Sequence, residues 1–156
     1  MSDQKMNQFA KPVADVLIAA GWHPGRCMID LVAAYAKALD RPSGFQIFPC
    51  AKAALEEFGG LKVDQSGPGV DHGRNPFTID PHVAVGEEEL FDSWSQMLHT
   101  KLYPLGEAGP VAEFLAIDEN GRVLLLSFDA LLVGQTIEEA LDHLIRGITS
   151  PPLEVR

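Results

Sequence analysis

Apolar side chains recur every three to four residues in five stretches of the chain, which is the spacing of a helix with one buried face. Glycine follows two of these stretches, at Gly21 and at Gly59-Gly60, and glycine is a common residue where a helix ends. Before the last stretch, Thr136 and Glu139 stand at capping-box spacing, and the pattern closes at Gly147. Five helices are therefore predicted, over residues 9–20, 28–39, 49–58, 87–98 and 136–146.

The second predicted helix has four apolar residues at helical spacing, Ile29, Val32, Ala33 and Ala36, and these predict its buried face. Only the short turn of residues 21–26 separates this helix from the first one. We therefore expect the first two helices to pack against each other as a hairpin.

Short apolar runs predict strands in the rest of the chain. Residues 61–64 and 77–80 are expected to pair with each other. The strongest signal is Asp118-Glu119-Asn120-Gly121 between apolar residues 114–117 and 123–128, because Asn-Gly favours a tight hairpin turn. We expect this hairpin to supply central strands of a sheet.

The predicted elements follow the order helices, strands around one middle helix, and a closing helix. This order predicts an α+β fold: a mostly antiparallel sheet with N-terminal helices, one helix in the middle and one closing helix. A chain of 156 residues has the size of one compact domain, so we expect residues 1–156 to form a single domain. The tail after Gly147, which contains Pro151-Pro152, is expected to be irregular.

The formal net charge is −10 at pH 7, and all of the excess lies in the second half of the chain. Residues 1–78 carry eight basic and eight acidic side chains, whereas residues 79–156 carry four basic and fourteen acidic ones. An acidic surface repels nucleic-acid phosphates and attracts basic proteins. The charge distribution therefore argues against nucleic-acid binding and favours a basic protein partner, with solubility alone as the alternative explanation.

The sequence contains no signal for a membrane or for secretion. No apolar run approaches the ~20 residues of a membrane-spanning helix. The first ten residues lack the basic start and apolar stretch of a secretory signal. We therefore expect a cytoplasmic protein without membrane association. Cys27 and Cys50 lie at predicted helix starts, and we expect both thiols to be reduced and buried.

Asp71, His72, Asp80 and His82 are the one group of side chains that suggests metal chemistry, because all four fall within twelve positions. Their spacing matches neither the paired histidines of a helical zinc site nor a Cys-x-x-Cys motif. We expect a structural loop here, and neither a metal nor another cofactor. A small metal-assisted hydrolase that uses these four residues is the alternative.

Motifs of covalent catalysis and of phosphate binding are absent from the sequence. It contains no Gly-x-Ser-x-Gly elbow and no Gly-x-x-x-x-Gly-Lys-Ser/Thr loop. Trp22 and Tyr103 lie in predicted turns, where we expect them to fill the core rather than to bind a partner. The acids that open the fourth helix are expected to be exposed, and exposed acids form a solvated face rather than a catalytic pair.

Several turn sequences occur together in an order that resembles one protein family. They are Gly21-Trp22-His23-Pro24-Gly25-Arg26, Glu57-Phe58-Gly59-Gly60-Leu61, Leu102-Tyr103-Pro104-Leu105-Gly106-Glu107, Gly121-Arg122-Val123, and Gly134 followed by Ala140-Leu141 and Gly147. In this arrangement the chain resembles the third subgroup of the SUKH superfamily over about residues 13–147. The matching motif residues, which we interpret as scaffold, are Gly21, Trp22, Arg26, Phe58, Gly59, Gly60, Tyr103, Pro104 and Gly106.

The resemblance implies a bacterial immunity protein, which binds and neutralises a toxin of a polymorphic toxin system without catalysis. The toxins of this family vary in activity, so the resemblance does not identify the partner. A regulatory module that binds another protein is a second alternative beside the hydrolase. Because acids attract a basic toxin, we expect the second half of the chain to supply the contact surface. The predicted contact residues are Glu87, Glu88, Glu89, Asp92 and Glu107.

Overall fold

The computed structural model describes residues 8–42 and 44–153, and this part of the chain forms five α-helices, one short 3-10 helix and six β-strands. The helices are α1 (Lys11–Ala19), α2 (Ile29–Leu39), α3 (Pro49–Phe58), α4 (Glu88–Leu98) and α5 (Ile137–Arg146), with the 3-10 helix at Pro81–Ala84. The strands are β1 (Lys62–Val63), β2 (Phe77–Thr78), β3 (Leu102–Ala108), β4 (Glu113–Asp118), β5 (Val123–Leu126) and β6 (Ala130–Gly134).

The six strands form one antiparallel sheet in which each strand pairs with its neighbour in sequence. This arrangement confirms the predicted α+β fold. Side chains from the helices and the sheet pack into one buried apolar cluster. Among the described residues, no helix combines the length and the apolar character that crossing a bilayer requires.

The elements with strong local signals form where they were predicted. The helix α3 buries Ala51, Ala54, Leu55 and Phe58, the four residues of its predicted apolar face. At the start of α5 the Thr136 hydroxyl accepts a 3.1 Å hydrogen bond from the Glu139 amide, as the capping-box spacing predicts. The strands β1 and β2 pair antiparallel, which confirms the predicted pairing.

The prediction of a hairpin with α1 is wrong, and of the predicted buried face of α2 only Val32 is confirmed as buried. Its buried residues are Val32, Tyr35 and Leu39, whereas Ile29 is 60% exposed. Tyr35 and Leu39 bury more apolar area than the two alanines of the predicted face, so the helix turns that side inward. The expected hairpin of α1 and α2 is not formed either, because α1 packs against α5 while α2 packs against α3 and the 3-10 helix.

The strand β3 runs through a segment that the sequence placed in a turn because it contains Pro104 and Gly106. The register with β4 shifts between these two residues, and such a bulge accommodates a proline that cannot donate to the ladder. Tyr103 therefore lies on a strand and not in a turn, and its side chain is fully buried. At Gly106, a Cβ atom would overlap the carbonyl oxygen of Thr78 and would lie 2.9 Å from the amide nitrogen of Asp80.

A buried carboxylate organises the turn between β4 and β5. The Asp118 side chain is fully buried, and its Oδ1 accepts 2.9 Å hydrogen bonds from the amides of Asn120 and Arg122. Its Oδ2 accepts a 2.6 Å hydrogen bond from Arg122 Nε. Gly121 adopts a φ of 90° at the end of a three-residue loop, which is the position in such a hairpin that favours glycine. The predicted hairpin is confirmed, with one more loop residue than a tight Asn-Gly turn.

The predicted strand at residues 123–128 extends beyond the end of β5, and β6 was not predicted. The strand β5 ends at Leu126, and Phe128 lies in the turn that leads to β6. In this turn the Ser127 amide donates a 3.0 Å hydrogen bond to the carbonyl oxygen of Asp129.

The tail that was expected to be irregular is hydrogen-bonded to the outer edge of β6. The Leu132 amide donates to the Pro151 carbonyl oxygen at 2.7 Å, and the Leu153 amide donates to the Ala130 carbonyl oxygen at 2.8 Å. An edge strand exposes unpaired backbone groups, so a segment without strand character of its own is able to bind there.

Replacing Gly106 with alanine is expected to destabilise the fold by about 3 kcal/mol, because the new methyl group overlaps the backbone of β2. Gly73→Ala is the matched control, since the nearest atom to its added Cβ is the Gly67 carbonyl oxygen at 3.7 Å. Urea unfolding of both variants measures the difference. Equal losses of stability in the two variants would contradict the close approach of β2 and β3.

Because of its two tyrosines, the protein is expected to lose stability as the pH becomes alkaline. Burial raises the pKa of Tyr35 to about 12. Burial also raises the pKa of Tyr103 above its usual range, and the hydrogen bond to Asp40 adds to this effect. An unfolded tyrosine ionises near pH ~10, so above this pH the unfolded state releases protons that the native state retains. The free energy of unfolding therefore falls as the pH rises through this range.

The measurement is urea unfolding between neutral and alkaline pH, with tyrosinate absorbance recorded in parallel. Tyr103→Phe removes one of the two groups, so its stability is expected to fall less steeply with pH than that of the wild type. Ionisation of both tyrosines near pH ~10 in the folded protein would contradict their raised pKa values.

Candidate partner-binding surface

Four of the five predicted contact residues lie at the start of α4. Glu87 is the N-cap residue, Glu88 and Glu89 are in the first turn, and Asp92 follows one turn later. Glu88 is half-buried and the other three are exposed. The unpaired amides at a helix N-terminus favour nearby negative charge, so this position stabilises a group of acids that would otherwise repel one another.

Glu88 and Asp92 lie one helical turn apart and line the same cleft. The cleft has a volume of about 330 Å³ and lies between α4 and a segment that contributes Pro42, Gly44, Phe45 and Gln46. Two buried aromatic rings, those of Phe45 and Phe91, form part of its wall and meet edge to face with centroids 5.2 Å apart. Lys101 is the cation among the described lining residues. The cleft therefore combines carboxylates with an aromatic wall.

The carboxylates of α4 are not neutralised by basic side chains within the described residues. There, no lysine or arginine forms a salt bridge with Glu87, Glu88, Glu89 or Asp92. Asp92 accepts its 3.0 Å hydrogen bond from Gln96 Nε2, which is uncharged. The start of α4 therefore presents negative charge to solvent without forming an ion pair in the described part of the chain, and Lys101 is the one basic residue among the described ones that line its cleft.

Glu107, the fifth predicted contact residue, is separate from this group. It lies on β3 opposite Thr78 of β2. It lines a smaller cleft of about 210 Å³ together with Lys62 and Asp64. The structure therefore brings Glu88 and Asp92 together and places Glu107 in a second cleft.

The motif residues of the first turn make contacts inside the fold. Trp22 is buried, and its Nε1 donates a 3.0 Å hydrogen bond to the Glu57 carboxylate. The Arg26 guanidinium donates to the carbonyl oxygens of Glu57 at 2.7 Å and Gly59 at 2.8 Å. The last carbonyls of a helix lack partners within it, so Arg26 satisfies two of these groups at the end of α3. Phe58 is buried against Trp22, with ring centroids 6.4 Å apart.

The four candidate metal ligands lie in two separate pairs. Asp71 accepts a 2.8 Å hydrogen bond from the Thr149 amide, and the two ring nitrogens of His72 face the carbonyl oxygens of Gly73 and Ile148 at 2.8 and 3.3 Å. These contacts hold the β1–β2 loop against the end of α5.

The second pair caps the 3-10 helix. Asp80 Oδ1 accepts a 3.0 Å hydrogen bond from the His82 amide and lies 3.2 Å from His82 Nδ1. Across residues 8–42 and 44–153, no three His, Cys, Asp or Glu side chains are arranged to hold a metal ion. The metal-assisted hydrolase is therefore not supported by the geometry of these four residues.

Neither cysteine has the environment of an activated nucleophile. Cys27 is exposed in the turn before α2, so the prediction that it is buried at a helix start is wrong. Its hydrogen bond to the Glu56 carboxylate raises the pKa of the thiol. Cys50 is half-buried in the first turn of α3, and burial raises the pKa of its thiol. A raised pKa lowers the fraction of reactive thiolate.

The sequence prediction missed two exposed apolar side chains on turns of the sheet. Val111 lies between β3 and β4 and is 74% exposed, and Phe128 lies between β5 and β6 and is 99% exposed. The apolar run up to Phe128 predicted a strand. The flanking residues Ser127 and Asp129, both common in turns, were the available signal for its true position.

Comparison with protein-family models gives one match. Residues 9–147 match the model that describes the SUKH-3 immunity protein. The matched range includes all helices and strands of the described residues. Neither a curated protein nor a solved structure matches the chain significantly.

Proposed function

Because this chain belongs to the SUKH-3 immunity protein family, which implies a toxin-neutralising immunity function, we propose that it binds one protein toxin directly and blocks it without catalysis. The toxin is proposed to be basic. The binding takes place in the cytoplasm of the cell that is protected.

The acidic start of α4, which forms no ion pair with a lysine or arginine of the described residues, is the observation that carries this proposal. Glu88 and Asp92 share a cleft of about 330 Å³. Complementary charge of this kind raises association rates by roughly 10- to 1,000-fold and is weakened by salt.

The state of the reactive side chains supports binding rather than turnover. The thiols have raised pKa values. Both ring nitrogens of His72 lie within hydrogen-bonding distance of backbone carbonyls, and His82 is paired with the carboxylate that caps its own helix. These groups are engaged in holding loops, and general acid or base catalysis requires a group that reaches a substrate.

Stoichiometric neutralisation is the first expected outcome. The product of the adjacent gene is first tested for toxicity and, if toxic, is titrated with this protein. Its activity is expected to fall linearly and to reach zero near one equivalent. Active toxin is expected to return after the complex is separated under denaturing conditions and refolded. Loss of toxin activity at a small fraction of one equivalent, or a covalently altered toxin after separation, would show that the protein acts catalytically.

Charge reversal at the cleft is expected to slow association with the toxin. The double variant Glu88→Lys with Asp92→Lys should lower the association rate at least about tenfold at low salt, because it reverses the local potential. The matched control is Asp15→Lys with Asp30→Lys, which changes the total charge by the same amount but on α1 and α2. Stopped-flow binding measures both rates. Equal reductions in the two double variants would place the contact surface elsewhere.

A further inference from the structure

The three most exposed large apolar side chains of the described residues lie on connections at one end of the sheet. They are Val70 in the β1–β2 loop, Val111 in the β3–β4 turn and Phe128 in the β5–β6 turn, with exposures of 62, 74 and 99%. In an antiparallel sheet whose strands follow chain order, alternate connections emerge at the same end. These three segments therefore share one end of the molecule.

The two turns are close enough to contact one partner. Neighbouring strands lie about 4.8 Å apart, so turns that are two strands apart are separated by roughly 10 Å. A cavity of about 230 Å³ opens beside them, lined by Pro110 of the first turn and by Leu125 and Leu131, which pair next to the second turn. The cavity has apolar and polar lining residues, and Val111 directly follows one of them, Pro110.

Carboxylates surround this apolar end. Glu113 begins β4, and Asp129 follows Phe128 directly. Between residues 102 and 145 the sole lysine or arginine is Arg122. Arg122 lies in the turn at the opposite end of the sheet, where it pairs with Asp118 at 2.6 Å.

Two further arginines lie at the apolar end, Arg74 in the β1–β2 loop and Arg146 at the end of α5. Arg146 pairs with Asp142 at 3.1 Å, and Arg74 donates a 2.7 Å hydrogen bond to the Ser66 carbonyl oxygen. The two turns themselves carry Glu113 and Asp129 and no basic residue.

The charges at this end of the sheet distinguish between two occupants, a second copy of this chain and a basic protein. A second copy of this chain would bring acids against acids, and both copies carry a net charge of −10, so their association is opposed by repulsion. A basic protein would meet complementary charge at the rim. Phenylalanine supplies a large apolar contact area when it enters a pocket of a partner, and a few such central residues provide most of the binding energy of an interface.

We propose that Phe128 is the apolar anchor that this protein inserts into a pocket of its basic toxin, with Val111 beside it and the Glu113 and Asp129 carboxylates against basic residues at the rim. This inference rests on the proposed function. In the proposed complex the acids of α4 attract the toxin, and Phe128 is the contact that holds the complex together. Phe91 of α4 packs against Phe114 at the beginning of β4, with ring centroids 5.5 Å apart, so α4 reaches the strand that carries Glu113.

The two surfaces are expected to act on different rate constants. Exposed charges act over distance and set the association rate, whereas a desolvated apolar anchor acts only after contact and sets the dissociation rate. Phe128→Ala is therefore expected to raise the dissociation rate of the complex about 30-fold or more. The association rate is expected to stay within about twofold of the wild-type value.

The experiment measures binding of the purified wild type, Phe128→Ala and Ile29→Ala to the toxin encoded by the adjacent gene. Ile29 is 60% exposed on α2 and controls for loss of an exposed apolar side chain elsewhere. Since Phe128 is 99% exposed, its variant is expected to unfold at the wild-type temperature. Faster dissociation of Phe128→Ala alone supports the anchor.

Three results would overturn the inference. If the wild type neutralises the toxin and Phe128→Ala dissociates at the wild-type rate, the anchor is wrong and the proposed function stands. If the wild type neither binds nor neutralises the toxin, the proposed function fails and the anchor fails with it. If sedimentation shows that the free protein forms a dimer that Phe128→Ala dissociates, the occupant is a second copy and not the toxin.

Discussion

The hydrogen bond between the Tyr103 hydroxyl and the Asp40 carboxylate, 2.9 Å long, joins the helical part of the molecule to the central strand β3. Asp40 follows α2 directly, and its second oxygen accepts a 2.9 Å hydrogen bond from the Ile47 amide. One carboxylate therefore links the end of α2 to Ile47 and fixes both to the sheet. Phe45, which lies between Asp40 and Ile47 in sequence, contacts both Tyr103 and Phe91, so the wall of the acidic cleft depends on the same link.

The bulge in β3 imposes a second constraint. Pro104 and Gly106 interrupt the ladder, and Gly106 lets β2 approach so closely that no side chain fits between them. The 3-10 helix begins three residues after the end of β2, and it also packs on β3. The motif segment 102–107 thus brings three elements together, which gives its proline and its glycine a mechanical purpose independent of any partner.

Charge and apolar exposure have complementary physical effects in the proposed complex. The acids at the start of α4 are stabilised by the helix N-terminus and remain without basic partners among the described residues, so their field extends into solvent. Phe128 contributes little energy to the fold because it is almost fully exposed. A binding protein is able to combine such features because a surface anchor and a surface charge require no change in the core.

Local residue chemistry was sufficient to define α3, the cap of α5 and the β4–β5 hairpin, because each depends on side chains within one or two turns of backbone. The order of the predicted elements also gave the correct fold class. The acidic start of α4 was visible in the same way, since helix N-termini favour acids. By contrast, the path of β3, the buried side of α2 and the pairing of the tail with β6 depend on surfaces that meet across long stretches of chain. For the same reason, Glu107 is separate from the other acids, and Asp71 and His72 are separate from Asp80 and His82. Closeness in sequence does not determine which side of a sheet or loop a side chain reaches, because that is set only when distant elements pack.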